Sequence, residues 1–140
     1  MNRLFNIIFF MVFAAFSQPL FASDDSSTTN SGVSIIDAEQ LIELYDKYSN
    51  LVIIDSRKTV GYEKGFIEGA INLPDTKTSP STLSSLAKDK STPIVFYCNG
   101  VKCGRSETAA KIAQKAGYKN IYWFRGGWEE WIAKGYPMSK

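Results

Sequence analysis

Two unbroken apolar runs, Leu51-Val52-Ile53-Ile54 and Ile94-Val95-Phe96-Tyr97, constrain this chain more than any other feature. A strand with one wet face alternates apolar and polar residues. A run without alternation fits a strand covered on both faces. Helix-length segments separate the apolar runs, which predicts βα units and a mostly parallel sheet. The expected fold class is α/β, with three layers and a mostly parallel sheet of about five strands flanked by helices.

The remaining elements fall around those two strands. Val33-Ser34-Ile35-Ile36 predicts a short first strand. Asp37 stands as an N-cap, with Gln40 in the capping-box position. Leu41, Ile42, Tyr45 and Tyr48 then mark one helical face. Ala70-Ile71-Asn72-Leu73 reads as a weaker strand stopped by Pro74, residues 75–82 as turns, and Leu83 to Lys88 as a short helix. Beyond Tyr97, Ala109, Ile112, Ala113 and Ala116 recur at helical spacing, and Gly117 is a natural C′ residue. Ile121-Tyr122-Trp123-Phe124 predicts a final strand, followed by a turn at Gly126-Gly127 and a helix from Trp128 to Ala133. The aromatic residues of that last strand and helix are expected in the core, with their polar handles half-buried.

The second buried strand runs directly into Cys98-Asn99-Gly100-Val101-Lys102-Cys103-Gly104-Arg105-Ser106. Open α/β sheets place ligands at the carboxyl ends of their strands. Gly100 and Gly104 permit backbone N–H groups to turn inward as an anion-binding nest. The helix start adds unsatisfied N–H groups and partial positive charge. Lys102 and Arg105 add full charges. Together these features are expected to lower the Cys98 thiol pKa. A buried structural cysteine is the plainer alternative, since cysteine is among the most buried residue types.

Composition narrows the chemistry. The chain has 2 cysteines and no histidine, so a histidine-based triad is excluded. Structural zinc commonly takes four Cys or His ligands, more than this chain offers. No metal or cofactor is expected. Arg3 followed by the apolar stretch Leu4 to Phe16, with Ala22 at a cleavage position, predicts a signal peptide over 1–22. The stretch is too short to span a bilayer. A polar spacer is expected over 23–32 and one domain over 33–140. The expected location is periplasmic or secreted, with no membrane span after cleavage. Arg3 is one of 16 basic residues against 14 acidic ones. Its removal leaves a near-neutral chain with no electrostatic case for nucleic acid.

Three further segments resemble the rhodanese (sulfurtransferase) family. Val52-Ile53-Ile54-Asp55-Ser56-Arg57 resembles its strand ending in Asp-x-Arg. Tyr62 to Pro74 resembles its Gly-His-Ile-Pro-Gly-Ala-Ile-Asn-Ile-Pro stretch, with Phe66 and Glu68 at the usual His and Pro. Phe124-Arg125-Gly126-Gly127-Trp128-Glu129-Glu130-Trp131, with Gly135-Tyr136-Pro137, resembles its C-terminal ending. The resemblance implies that Cys98 takes sulfur from thiosulfate or a similar small sulfur-containing anion and becomes a persulfide. A thiol, a cyanide-like molecule or a protein acceptor would then remove that sulfur. It implies that the loop residues Asn99, Gly100, Val101, Lys102, Cys103, Gly104 and Arg105 bind the donor, and that Asp55 and Arg57 are scaffolding.

The loop departs from common single-domain members. Six residues separate Cys98 from Arg105 where four are usual, which resembles a Cys-x-Gly-x-x-Cys variant. Cys103 could resolve an oxidised Cys98 as a disulfide, or simply pack at the helix start. Three alternatives stay open: a non-catalytic persulfide-carrier or partner-binding module, a thiol–disulfide redox protein using Cys98 and Cys103, and a thiol phosphatase or arsenate reductase. The last is disfavoured because its arginine position holds Gly104.

Overall fold

The computed structural model describes residues 32–140. The expected signal segment 1–22 and the spacer up to residue 31 lie outside the described residues. The elements run β1 (Val33–Ile36), α1 (Ala38–Lys47), β2 (Val52–Asp55), α2 (Thr59–Tyr62), β3 (Phe66–Ile67), β4 (Ile71–Asn72), α3 (Pro80–Leu86), β5 (Ile94–Tyr97), α4 (Arg105–Lys115), β6 (Ile121–Phe124), α5 (Gly127–Ala133) and β7 (Met138–Ser139), with a 3₁₀ turn at Asp75–Lys77. Five strands form one sheet in the order β1-β6-β5-β2-β4, and every pairing in it is parallel.

The two apolar runs occupy the middle of this sheet. Ile54 and Phe96 point into the layer beneath α3 and α4, with Leu83, Ala109 and Ala113. Their neighbours Ile53 and Val95 point the other way, toward Ala38, Leu41 and Leu44 of α1 and Trp131 of α5. Side chains alternate across a strand, so an unbroken apolar run supplies both layers at once. All four residues of β5 are buried. Among the described residues, no helix is long and apolar enough to cross a membrane.

Several boundaries differ from the sequence reading for identifiable reasons. The capping box at Asp37 and Gln40 forms, with the Gln40 N–H donating to Asp37 Oδ1 at 2.8 Å. The buried face of α1 is Ala38, Leu41 and Leu44, however, while Ile42 and Tyr45 sit at its exposed edge. Helix α3 starts earlier than expected. Ser79 caps it, Thr82 completes a reciprocal capping box, and Pro80 takes the first turn, where its missing N–H costs nothing. Strands β3 and β7 have no counterpart in the sequence reading. They are two-residue strands paired antiparallel, Phe66 with Ser139 and Ile67 with Met138. Gly117 adopts φ +91° after α4, as expected of a C′ residue.

Candidate active site

Cys98 follows β5 directly and is 1% exposed. Its backbone is fixed from two directions. The Trp128 N–H donates to the Cys98 carbonyl at 2.8 Å, and the Glu129 N–H donates to the Asn99 carbonyl at 2.7 Å. The start of α5 therefore holds the start of the loop. Such close approach requires glycine at the helix entry. Gly127 has φ +58°, and a Cβ there would lie 2.4 Å from the Cys98 carbonyl oxygen.

A buried polar assembly supports the same strand end. Arg57 Nη2 donates to Asp55 Oδ2 at 2.6 Å and to the Gly65 carbonyl at 2.7 Å. Arg57 Nε donates to both Asp55 oxygens at 3.0 Å. The Tyr97 hydroxyl donates to Asp55 Oδ2 at 2.6 Å and accepts from the Ile67 N–H at 3.2 Å. The Arg57 guanidinium also lies over the Trp128 ring, 4.6 Å from its centroid. Asp55 and Arg57 thus tie the residue before Cys98 to the residue that holds its carbonyl. This is a scaffolding arrangement, as the sequence reading has it. Burial, followed by the Asp55 charge, pushes the Tyr97 phenol pKa well above its ordinary value.

The loop itself closes on a covalent bond. Cys98 and Cys103 form a disulfide, with their Cα atoms 6.2 Å apart. That separation lies within the ordinary range for a bridge. The Cys103 N–H donates to the Gly100 carbonyl at 2.9 Å, which turns the chain back toward Cys98. That N–H is committed within the loop. Neither Gly100 nor Gly104 has a positive φ, and Gly104 sits at φ −82° and ψ −1° as the N-cap of α4. The bridged loop therefore holds no pair of alternating right- and left-handed residues. Gly104 brings no side-chain cap, so the opening amides of α4 gain no side-chain partner from it.

The loop's charges are unequal. Arg105 Nη1 donates to Asp75 Oδ1 at 2.8 Å, and both side chains are partly buried. Lys102 is exposed, with no ion-pair partner among the described residues. Val101 is exposed and borders a hollow of about 310 Å³ with Ile36, Gln40, Arg125 and Glu130. The Glu129 carboxylate lies against Gly100, where a Cβ would meet it at 2.3 Å. Asp75, Glu129 and Arg125 are neighbours of the site that sequence reasoning misses. Asp75 lies 30 residues from its partner in the chain, so local spacing carries no signal for it. The Gly126-Gly127 turn does carry one, because it folds α5 onto the loop.

The departures in the resemblance are accommodated locally. Phe66 stacks on Tyr62, with ring centroids 4.1 Å apart. The Glu68 carbonyl accepts the Tyr45 hydroxyl. Trp123 Nε1 donates to Ser106 Oγ at 3.0 Å, and Trp131 Nε1 donates to the Pro137 carbonyl at 2.7 Å. The aromatic residues are thus packed by their rings and anchored by their N–H groups.

Residues 37–134 match the family described as Rhodanese-like domain. A Schizosaccharomyces pombe protein provisionally named as a mitochondrial thiosulfate sulfurtransferase is 34% identical over 122 residues, covering 78% of this chain and 84% of that protein. A tRNA uridine(34) hydroxylase of Yersinia enterocolitica is 34% identical over 125 residues, covering 83% of this chain but 35% of that protein. The chain thus spans about a third of that relative's length. Among solved structures, the Alr3790 protein from Anabaena superposes with a TM-score of 0.65 at 28% identity, covering 74% of this chain and 90% of that one. Thiosulfate sulfurtransferase from Pseudomonas aeruginosa superposes with a TM-score of 0.60 at 26% identity, covering 75% of this chain and 20% of that one.

Proposed function

Because this chain belongs to the rhodanese-like domain family, we propose that it is a sulfurtransferase that carries sulfane sulfur on Cys98. The donor is thiosulfate or a similar small anion. The Cys98 thiolate attacks the outer sulfur, the donor's sulfur–sulfur bond breaks, and sulfite leaves. A nucleophilic acceptor, a thiol or a cyanide-like molecule, then takes the outer sulfur and returns Cys98 to the thiolate. Covalent catalysis of this kind divides one transfer into two easier steps.

The observation that carries this reading is the placement of Cys98. It directly follows the central buried strand, its carbonyl is held by Trp128, and its loop opens onto the start of an 11-residue helix. The helix start favours a thiolate and then a persulfide anion. Lys102, exposed on the loop, supplies positive charge for the donor. The sulfurtransferase name of the Schizosaccharomyces pombe relative supports the same activity.

Export is part of the proposal. Arg3, the apolar run Leu4 to Phe16 and Ala22 argue for a working protein in the periplasm or outside the cell. A near-neutral balance gives nucleic acid no electrostatic hold.

The test is intact mass after reduction, removal of reductant and addition of thiosulfate to a Cys103→Ser chain, with the Cys98→Ser, Cys103→Ser double variant alongside. Gain of one sulfur atom only where Cys98 is present supports the reading. No gain on a demonstrably free Cys98 thiol removes thiosulfate as the donor.

A further inference from the structure

The two cysteines of the loop are bonded to each other, and they are the only two in the chain. A protein that only ferries sulfur needs Cys98 alone. The geometry points to a second chemical step: we infer that Cys103 resolves the Cys98 persulfide, releasing hydrogen sulfide and leaving the loop disulfide. The protein then acts as a dithiol-driven reductase of the sulfane donor. This inference rests on the proposed Cys98 persulfide and assigns its fate.

Three observations carry it. First, the Cα separation of 6.2 Å places Cys103 within bonding range of Cys98 without displacing β5 or α4. Second, the turn that brings it there is built into the backbone, through the 2.9 Å Cys103–Gly100 hydrogen bond. The start of the loop is meanwhile held by the amides of Trp128 and Glu129. Third, the two residues differ in exposure: Cys98 is 1% exposed in the bridged form, whereas Cys103 is only partly buried. A Cys103 thiol held beside Cys98 by the same turn is an internal partner for a persulfide there. Proximity of this kind converts a bimolecular attack into an intramolecular one.

The steps balance. Cys98 attacks the outer sulfur of thiosulfate, and sulfite departs. The Cys103 thiolate then attacks the Sγ of Cys98. The bond from Cys98 Sγ to the outer sulfur breaks, and that sulfur leaves as HS⁻, protonated by water. Thiosulfate and two protein thiols thus give sulfite, hydrogen sulfide and one disulfide. The donor has accepted the two electrons lost by the thiols. An external dithiol, small or on a protein, closes the cycle. It attacks the sulfur of Cys103, the more exposed residue of the pair, and Cys98 leaves as the thiolate, the species required for the next turn. The second substrate is accordingly a dithiol reductant. The bridged form cannot accept sulfur until it is reduced.

The experiment is a single turnover under anaerobic conditions. The purified, fully reduced chain receives one equivalent of thiosulfate, and intact mass, sulfide and sulfite are read together. Controls without donor exclude oxidation from another source. The native chain is expected to lose two hydrogens, gain no sulfur, and release sulfide and sulfite in equal amounts. Cys103→Ser and Cys103→Ala are expected to stop at the persulfide, gaining one sulfur and releasing sulfite without sulfide. A native chain that keeps the added sulfur and releases no sulfide would overturn the inference while leaving sulfur transfer intact. Sulfite release from none of these chains would overturn the underlying persulfide reading instead.

Discussion

The backbone of Gly127 stands so close to Cys98 that a Cβ at position 127 would lie 2.4 Å from the Cys98 carbonyl oxygen and 3.1 Å from its carbon. Two backbones meet there, so no side chain can swing aside. Gly127 also has φ +58°, a conformation that L-residues adopt at a cost. The Gly127→Ala variant is therefore expected to lose about 2 kcal/mol or more of stability. The same shift would withdraw the Trp128 N–H from Cys98 and lower sulfur transfer. Urea midpoints and thiosulfate turnover check both effects. Native values for stability and turnover together would disprove the close approach.

Adjacent residues at the end of β2 make opposite predictions. Asp55 is fully buried and receives hydrogen bonds from Arg57 and Tyr97. Its removal leaves the Arg57 guanidinium, 3% exposed, without its charge partner. Asp55→Ala is expected to cost roughly 3–5 kcal/mol. Ser56 is equally buried, but its hydroxyl has no hydrogen-bond partner among the described residues. Deleting an unpaired buried hydroxyl removes a penalty rather than a bond, so Ser56→Ala is expected within about 0.5 kcal/mol of the native protein, or slightly above it. Equilibrium denaturation of the two variants side by side decides this. A large loss for Ser56→Ala would show a partner for that hydroxyl.

The central strands are legible because burial on both faces leaves a compositional mark, and residues 51–54 and 94–97 carry it plainly. The Asp37–Gln40 capping box is legible because its partners are neighbours in sequence. What spacing cannot show is contact at long range. Strands β3 and β7 are two residues each, too short for periodicity, and meet only because the C-terminal segment returns to Phe66. The Arg105–Asp75 pair and the packing of Gly127 on Cys98 likewise depend on how loops from different βα units converge. Periodicity places the face of α1 only in part: Leu41 is buried as expected, but Leu44 joins it while Ile42 and Tyr45 stay exposed. Position 103 reads as able to pair with Cys98, but only the folded turn brings the two together.

Charge at the loop entrance separates two cations that look equivalent in sequence. Arg105 is held by Asp75 at 2.8 Å, whereas Lys102 is exposed on the loop. For an anionic donor, Lys102→Gln is expected to lower kcat/KM by about 3- to 10-fold at low ionic strength. Asp75→Asn removes a negative charge and releases Arg105, so it should raise kcat/KM by about 2- to 5-fold. Both effects should shrink as salt shortens the screening length to below about 10 Å. Rates at several salt concentrations provide the check. Changes of the same sign in both variants, or changes indifferent to salt, would rule out electrostatic steering.

Tyr97 couples the scaffold of Cys98 to alkaline stability. Burial first, and then the charge of Asp55, raise its phenol pKa above the ordinary 10.0. Above about pH 10 the unfolded chain releases this proton while the folded chain keeps it. The unfolded state then binds fewer protons, so stability falls as pH rises, by about 1.4 kcal/mol per pH unit for one such group. The contribution is complete below the unfolded value and disappears as pH climbs through the folded one. Burial also pushes Tyr45 and Tyr122 up to about 12, so they act in the same direction. Tyr97→Phe isolates the Tyr97 component, because the other tyrosines and the lysines remain. At pH 7 the variant should be less stable by roughly 1.5–3 kcal/mol, having lost the hydrogen bond to the Asp55 carboxylate. From pH 10 upward the gap between native and variant should narrow, since only the native protein retains the Tyr97 penalty on unfolded-state ionisation. Urea unfolding of both proteins across pH 8 to 11 measures that gap. A gap that stays constant over the range would mean that the Tyr97 proton is not held by the fold.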